Sequence, residues 1–551
     1  MATKTNPNYW GIVDMGSNGI RFSVTDLSPP TTRILPTVFQ DRAAISLYDA
    51  QHPANSTTKQ PIPADTISLV VASLSRFCIT CSDLGVPSHQ VRILATAATR
   101  DAINSAEFRD KIRKVTGWTV EMLSEQEEGR IGAMGIASSF ESVRGLVMDL
   151  GGGSTQMTWM IAENGRVETA AKAVSLPYGA AALSKRLEDA RANDTVAALR
   201  DEISTAYRQA YESLSVPENL AQGDDGQFGL YLSGGGFRGW GYLLLSQHRV
   251  EPYPVPIING FRVDREDFVD VTAMVSVAES KENVFRISKR RAKQAPSVGF
   301  LVGIISETIP KIREVRFCQG GVREGALYSS IPPEIRALPP LSTATAPYAP
   351  HSAKLLLSLL ISSLPTPYPA AFTSDVLTST TNLLYHHAPI PKEGRASAGL
   401  NCTTTGILAS AHGVSHENRA LLSLILCSRW GSSVADPSLL HRLQQLVGAE
   451  LSWWCKYIGY VAALIGDVYP AGVLDAIAPP RILLQAKIKS EDATGKSRVT
   501  LKVKVRTRLG DPATAALVVQ KSIEDLSTPG KKKEWVREWG MKVNVVAKND
   551  L

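Results

Sequence analysis

Two apolar rhythms divide this chain. From residue 8 to about 335, short runs such as "YWGIVDMG", "IRFSVTDL", "VRILATAAT", "GLVMDLGG", "TQMTWMIA" and "GLYLSGG" alternate with stretches of helical spacing such as "ISLVVASLSRFCITC". Strands interleaved with helices predict an α/β arrangement. From about 351 to 478 the 3.6-residue period takes over, as in "SAKLLLSLLISSL" and "NRALLSLILCSRWG", and predicts a mostly helical part. After residue 480 the pattern changes again. In "RVTLKVKVR", Val499, Leu501, Val503 and Val505 share one face and Thr500, Lys502, Lys504 and Arg506 the other, as in a half-buried strand. A helix over 514–526 and a strand "MKVNVVA" complete a small α+β tail. Its lysine face is read as protection against edge-to-edge aggregation, not as a nucleic-acid surface. Residues 331–350, "IPPEIRALPPLSTATAPYAP", are dense in proline and read as a linker.

Length and composition narrow the class. A chain of 551 residues with 44% hydrophobic content predicts a soluble globular protein of two to four domains. Residues 1–11, "MATKTNPNYWG", lack the apolar core of a signal peptide and the character of a transit sequence. The best spanning candidate, "YIGYVAALIG", is cut short by Lys456 and Asp467, so no membrane contact is expected. The expected location is the cytoplasm, with the nucleus also open. Six cysteines do not make a disulfide scaffold, and the single C-x-x-C of Cys78 and Cys81 sits in a helical apolar pattern as buried thiols. The net charge of +7 is dilute at this length and only hints at anionic ligands.

The chemistry concentrates in two turns. "VMDLGGGSTQMTW" runs strand, Asp149, Gly151, Gly152 and Gly153, then Ser154, Thr155 and Gln156 before apolar residues resume. "IVDMGSNGIRFSV" repeats that order with Asp14, Gly16, Ser17 and Asn18. Glycines let successive backbone N–H groups converge on an anion, and the hydroxyls and amide add donors for phosphate oxygens. Asp14 and Asp149 would be repelled by phosphate, but they are placed to hold a hydrated Mg²⁺ between the loops. Ordinary hairpins with glycine-bearing turns are the alternative; the repetition favours phosphate. There is no G-x-x-x-x-G-K-[ST] P-loop. Gly234, Gly236 and Gly239 fit G-x-G-x-x-G, but no downstream acid completes a dinucleotide site, and Gly234, Gly235 and Gly236 are read as a third turn on the same cleft.

This pair of loops resembles the two phosphate motifs of the actin/Hsp70/sugar-kinase superfamily, and specifically those of the exopolyphosphatase/guanosine-pentaphosphate phosphatase family. "ATAATRDAIN", "LSEQEEGR", "ISKRRAKQAPSVG" and "GGVREGALY" resemble further segments of that family, in its order, over residues 8–335. The resemblance implies an α/β, RNase H-like, two-lobed fold with lobes at 1–162 and 163–335. A helical, degenerate HD-like domain at 345–478 and the α+β tail at 480–551 would follow. Further likeness in "PTVFQDRAAISLY", "VSLPYGA" and "LCSRWG" points to a fungal regulatory branch that carries signals of mitochondrial state to nuclear transcription of metabolic genes.

By the same resemblance, Glu127 would be the catalytic base, although Ser124 and Glu127 also make an S-x-x-E capping box. Arg21 and Arg100 would clamp phosphate, while Arg290 and Arg291 of "SKRRAK" are read as structural or cleft-lining. Two positions depart from the hydrolase pattern: Gln156 stands where the phosphatases carry a glutamate, and Gly19 where they carry a serine. Losing that carboxylate would cost roughly 10²–10⁴ in rate. HD phosphohydrolases need a His-Asp dipeptide, which is missing here, so His386, His387, His412 and His416 are read as core or surface residues.

The sequence therefore leads to a regulator that binds a phosphorylated small molecule or polyphosphate with Mg²⁺ and exchanges regulatory signalling proteins. No direct nucleic-acid contact is expected, and homodimerisation is left open. The alternative is an active exopolyphosphatase or nucleotide phosphohydrolase, which Glu127 and the two aspartates permit.

Overall fold

The structure, a computed structural model, describes residues 5–53, 58–221, 226–280, 285–478, 480–491, 496–505 and 520–549. The chain divides into two compact units. The first comprises Met1–His248, Ile258–Leu338 and His412–Val414, and the second Arg249–Ile257, Pro339–Ala411 and Ser415–Leu551.

Two sheets in the first unit repeat one plan. β1 (Tyr9–Gly16), β2 (Gly19–Asp26), β3 (Thr37–Ala43), β4 (Val91–Ala95) and β5 (Val120–Met122) form a sheet in the order β3-β2-β1-β4-β5. The second sheet uses β6 (Val143–Leu150), β7 (Thr155–Glu163), β8 (Arg166–Thr169), β9 (Val174–Leu176), β10 (Phe228–Ser233), β11 (Arg262–Asp264) and β12 (Ile312–Phe317). Its order is β11-β12-β10-β6-β7-β8, with β9 also on β7. Set side by side, β3-β2-β1-β4-β5 and β8-β7-β6-β10-β12 match strand for strand. Each has an antiparallel three-strand meander joined to two parallel strands. This duplication is the expected two-lobed, actin-like α/β fold.

One boundary differs from the sequence expectation. β6 and β7 carry the second glycine turn inside the second sheet, so the lobes divide before Val143 and not at residue 162. The two hairpins have the same apolar rhythm, and only strand pairing reveals which sheet owns each.

The helix Ala64–Leu84 is long and apolar enough to cross a membrane by length and composition, a feature the sequence reading missed. Here it buries Ile67, Val70, Leu74, Phe77 and Cys81 along one stripe, in a cluster with Val13, Ile20 and Phe22 of the first sheet. Burial pushes the Cys81 thiol up to about 12, which keeps it protonated and inert.

The proline-rich stretch is not an open linker. Pro333–Arg336 and Pro340–Thr345 are short helices with proline in their first turn, where the missing N–H costs nothing. In the second of them Leu341, Thr343, Ala344 and Thr345 are buried. The division between units falls within this packed segment, after Leu338.

In the second unit the helices His416–Arg429 and Ala449–Val468 pack closely, because a β-carbon at Gly459 would stand only 2.4 Å from Ser428 Cβ. Arg419 is fully buried and donates to the carbonyls of Thr403, Leu408 and Ala411, tying down the preceding loop. His387 and His416 are buried, and burial draws His387 down to about 4. His412 belongs instead to the first unit. The tail folds as β13 (Ile482–Glu491), β14 (Lys496–Val505) and β15 (Lys542–Asn549), with β14 central. It joins the helical part: Trp453 donates to the Pro529 carbonyl at 2.9 Å and Lys456 pairs with Glu534 at 2.9 Å. Residues 520–526 are helical; the start of the expected helix, 514–519, lies outside the described residues.

Candidate phosphate-binding site

Both glycine turns close hairpins, and the registers correspond. Asp14 stands across from Arg21, and Asp149 across from Gln156. Asp14 is 7% exposed, and its Oδ2 lies 3.5 Å from Arg21 Nη1. Burial lifts its carboxyl above the usual range; Arg21 and Arg323 oppose this, while Glu324 and Asp149 add to it. Asp149, from the other lobe, is thus among the charges that act on Asp14.

The turns also touch. A β-carbon on Gly152 would lie 2.4 Å from Asn18 Nδ2, and one on Gly153 would lie 3.8 Å from Ser17 Oγ. Asn18 is held from behind: its carbonyl accepts from Arg42 at 3.1 Å and from Arg290 at 3.4 Å, and its side-chain oxygen accepts from Arg290 as well. Arg290 also reaches Ser46 and Asp49 in the first lobe.

The second turn is fixed by the helix Ala180–Ala192. Its first N–H groups bond to the turn's carbonyls, Ala180 to Gly151 at 2.9 Å and Ala181 to Gly152 at 2.9 Å. A peptide's N–H points opposite its C=O, so the Gly152 and Gly153 amides face away from that helix. Thr155 is turned inward and donates to the Tyr178 carbonyl. Gln156 donates its amide to Ser154 Oγ at 3.0 Å and Ser175 Oγ at 3.4 Å.

Glu128, Asp149, Gln156 and Thr158 line one cleft of about 370 Å³, a volume that includes open solvent. Glu127, expected there as the base, is elsewhere. Its carboxylate accepts from the Ser124 N–H at 2.9 Å and the Ser124 hydroxyl at 2.7 Å, completing the capping box on the surface. Those bonds hold its carboxyl below the usual range. Glu128, one residue on and about 100° further round the helix, faces the cleft instead. Its side chain is 15% exposed, and burial raises its carboxyl to about 7, opposed by Arg100 and reinforced by Asp149 and Asp14. The signal for it was in the sequence: the cap commits Glu127, leaving the second acid of the pair. Arg100 donates to the Leu123 carbonyl at 2.7 Å and lies 3.6 Å from Glu128, so it orients that acid.

The third glycine run serves packing more than the cleft. A β-carbon on Gly234 would stand 2.3 Å from the Leu150 carbonyl, and one on Gly236 2.4 Å from Leu150 Cδ2. Only Gly235 faces Arg21, at 4.0 Å.

Among the described residues no three His, Cys, Asp or Glu side chains converge as a metal cage. Two carboxylates completed by water are what Mg²⁺ takes, and Asp14 and Asp149 fit that ion.

The sequence profile of the Ppx/GppA phosphatase family matches residues 24–334, more than half of the chain, and the chain belongs to that family. The profile of the RTG2 C-terminal domain matches residues 339–550, helical part and tail together. The chain is 40% identical to Retrograde regulation protein 2 of Saccharomyces cerevisiae, over 94% of its own length and 95% of the relative's. Exopolyphosphatase 1 of Mycobacterium leprae is 26% identical over 36% of this chain and 56% of its own. An exopolyphosphatase structure from Cytophaga hutchinsonii aligns over 58% of this chain and 97% of its own, with 19% identity and a TM-score of 0.47.

Proposed function

We propose that this protein is a regulator of mitochondria-to-nucleus retrograde signalling that senses a phosphorylated ligand, an ATP-like nucleotide or polyphosphate. It would control transcription of metabolic genes through protein partners. The observation that carries this is the apposition of the two glycine turns, with Asp149 among the charges that act on Asp14 and Gln156 at the place opposite Asp149. Asp14 and Asp149 would hold a hydrated Mg²⁺, which supplies charge neutralisation to bound phosphate. The turn amides and Ser17 and Ser154 bind oxygens, and Gln156 offers an amide where turnover calls for an acid.

A ligand shifts a two-lobed protein only by its differential affinity for open and closed forms. Turns contributed by both lobes provide that difference. The alternative, a working phosphohydrolase, is favoured by Glu128 alone, whose raised carboxyl suits a general base near neutral pH.

The test is a transcriptional reporter in cells at matched protein levels. Asp149→Ala, which removes metal and phosphate binding, abolishes activation, and Glu128→Gln, which keeps shape without a base, preserves it. Equal loss in both variants would mean that turnover is required.

A further inference from the structure

The segment "LCSRWG" closes the helix His416–Arg429 in the second unit, and the phosphate site makes no use of it. Arg429, the last residue of that helix, is 7% exposed. Its Cζ lies 4.2 Å from the centre of the Trp430 ring, and the Cζ of Arg395 lies 5.1 Å from the same centre. The helix Ala449–Val468 leaves a notch for it: a β-carbon on Gly466 would stand 2.2 Å from Arg429 Nη2 and 2.8 Å from its Cζ. Two left-handed residues, Gly431 at φ 89° and Ser432 at φ 61°, turn the chain directly after the indole. The second of them carries a side chain, so the turn is strained.

This buried cation lacks an acceptor. The Arg429 Nε is sealed from solvent with no hydrogen-bond partner, and so is the Trp430 Nε1. Among the described residues neither Arg429 nor Arg395 has a carboxylate within 4.0 Å. Nearby polar groups are engaged elsewhere. Asp467 takes the Ser522 hydroxyl at 2.7 Å, and the Tyr385 hydroxyl donates to the Tyr469 carbonyl. Arg395 donates its Nε to the Ile390 carbonyl at 2.8 Å. Burial lowers the Arg429 guanidinium; Asp467 and Tyr385 oppose this, and Arg395 adds to it. A place at a helix C-terminus suits a positive charge. It leaves the donors unused, however, and a buried charged donor without an acceptor is costly.

We infer that Arg429, Arg395 and Trp430 form a separate ligand site that takes a small organic dicarboxylate. The Arg429 fork holds one carboxylate, the indole covers the carbon skeleton, and Arg395 meets the second carboxylate. Two cations on one aromatic ring match a ligand with two negative charges. The indole wall and the notch beside Gly466 select a planar carboxylate on carbon over a tetrahedral phosphate, which calls for donors on several sides. All these residues belong to the second unit, so the site stands apart from the phosphate reading.

Calorimetry on the full chain tests it, with succinate, glutarate, acetate and orthophosphate as probes. Wild type binds succinate or glutarate at least about 10-fold tighter than acetate. Arg429→Gln weakens the dicarboxylates by roughly 10- to 100-fold, and Arg429→Lys, which keeps the charge without the fork, by about 10-fold. Arg395→Gln brings the dicarboxylates down to the level of acetate and leaves acetate within about threefold. Replacing an unpaired buried charge leaves the protein folded; melting curves verify this, and the dicarboxylate raises the melting temperature of wild type but not of Arg429→Gln. The site is overturned if wild type binds neither dicarboxylate, or if folded Arg429→Gln and Arg395→Gln bind them as wild type does. Orthophosphate binding that disappears in Arg429→Gln would overturn the carboxylate class.

Discussion

Asn18 of the first glycine turn lies against Gly152 of the second, so closely that a β-carbon on Gly152 would come within 2.4 Å of the Asn18 amide. The two lobes meet at the point where both would grip a phosphate. Two substitutions separate the parts of this contact. Gly152→Val meets the Asn18 side chain, which is held by its bond to Arg290. Gly179→Ala meets backbone, 2.4 Å from Ser154 N and 2.5 Å from the Gly152 carbonyl carbon. Overpacking of this kind costs about 1–3 kcal/mol. Calorimetry with tripolyphosphate should show binding lost in Gly152→Val, and Gly179→Ala should also lower the melting temperature, because it displaces the whole turn.

The neighbouring acids Glu127 and Glu128 should behave as different residues. Glu127→Ala removes one arm of the capping box, so it lowers melting temperature slightly and leaves ligand affinity unchanged. Glu128→Gln should show a pH signature. The folded carboxyl titrates near 7 against an ordinary 4.5, so it gives stability that is fully present below about 4.5 and lost as pH rises through about 7. Relative to wild type, Glu128→Gln gains on the order of 2–3 kcal/mol between pH 4.5 and 8. A stability difference that stays flat with pH would place Glu128 in solvent.

Glu324 has the opposite sign. Burial raises its carboxyl, but Arg323, His412 and the N–H groups of Glu324 and Gly321 outweigh that and bring it to about 2. Its stabilisation is present above about 4.5 and disappears as pH falls toward 2. Glu324→Gln should cost on the order of 2–3 kcal/mol at pH 7, with the gap to wild type narrowing on acidification in thermal melts.

Much of this was legible from the chain. The repeated strand–Asp–glycine order announced two matching hairpins, with Asp14 and Asp149 at corresponding positions of β1 and β6. Local patterns could not assign β6 and β7 to a sheet, because pairing between distant strands decides that. The prolines of residues 331–350 read as a linker because composition cannot show that Leu341 and Ala344 are buried. Glu127 was chosen over Glu128 by resemblance, although the capping box already implied that Glu127's side chain would turn back to Ser124.

On the function proposed above, the site binds phosphate and turns it over poorly because Gln156 replaces an acid. Phosphate release from tripolyphosphate with Mg²⁺, measured for wild type beside Gln156→Glu, tests it most directly. A glutamate there would accept from the Ser154 and Ser175 hydroxyls, which in the present chain accept from the Gln156 amide, and would put an acid across from Asp149. The expected result is similar affinity with turnover raised at least roughly tenfold in Gln156→Glu. A wild type that releases phosphate as fast as the variant would contradict it.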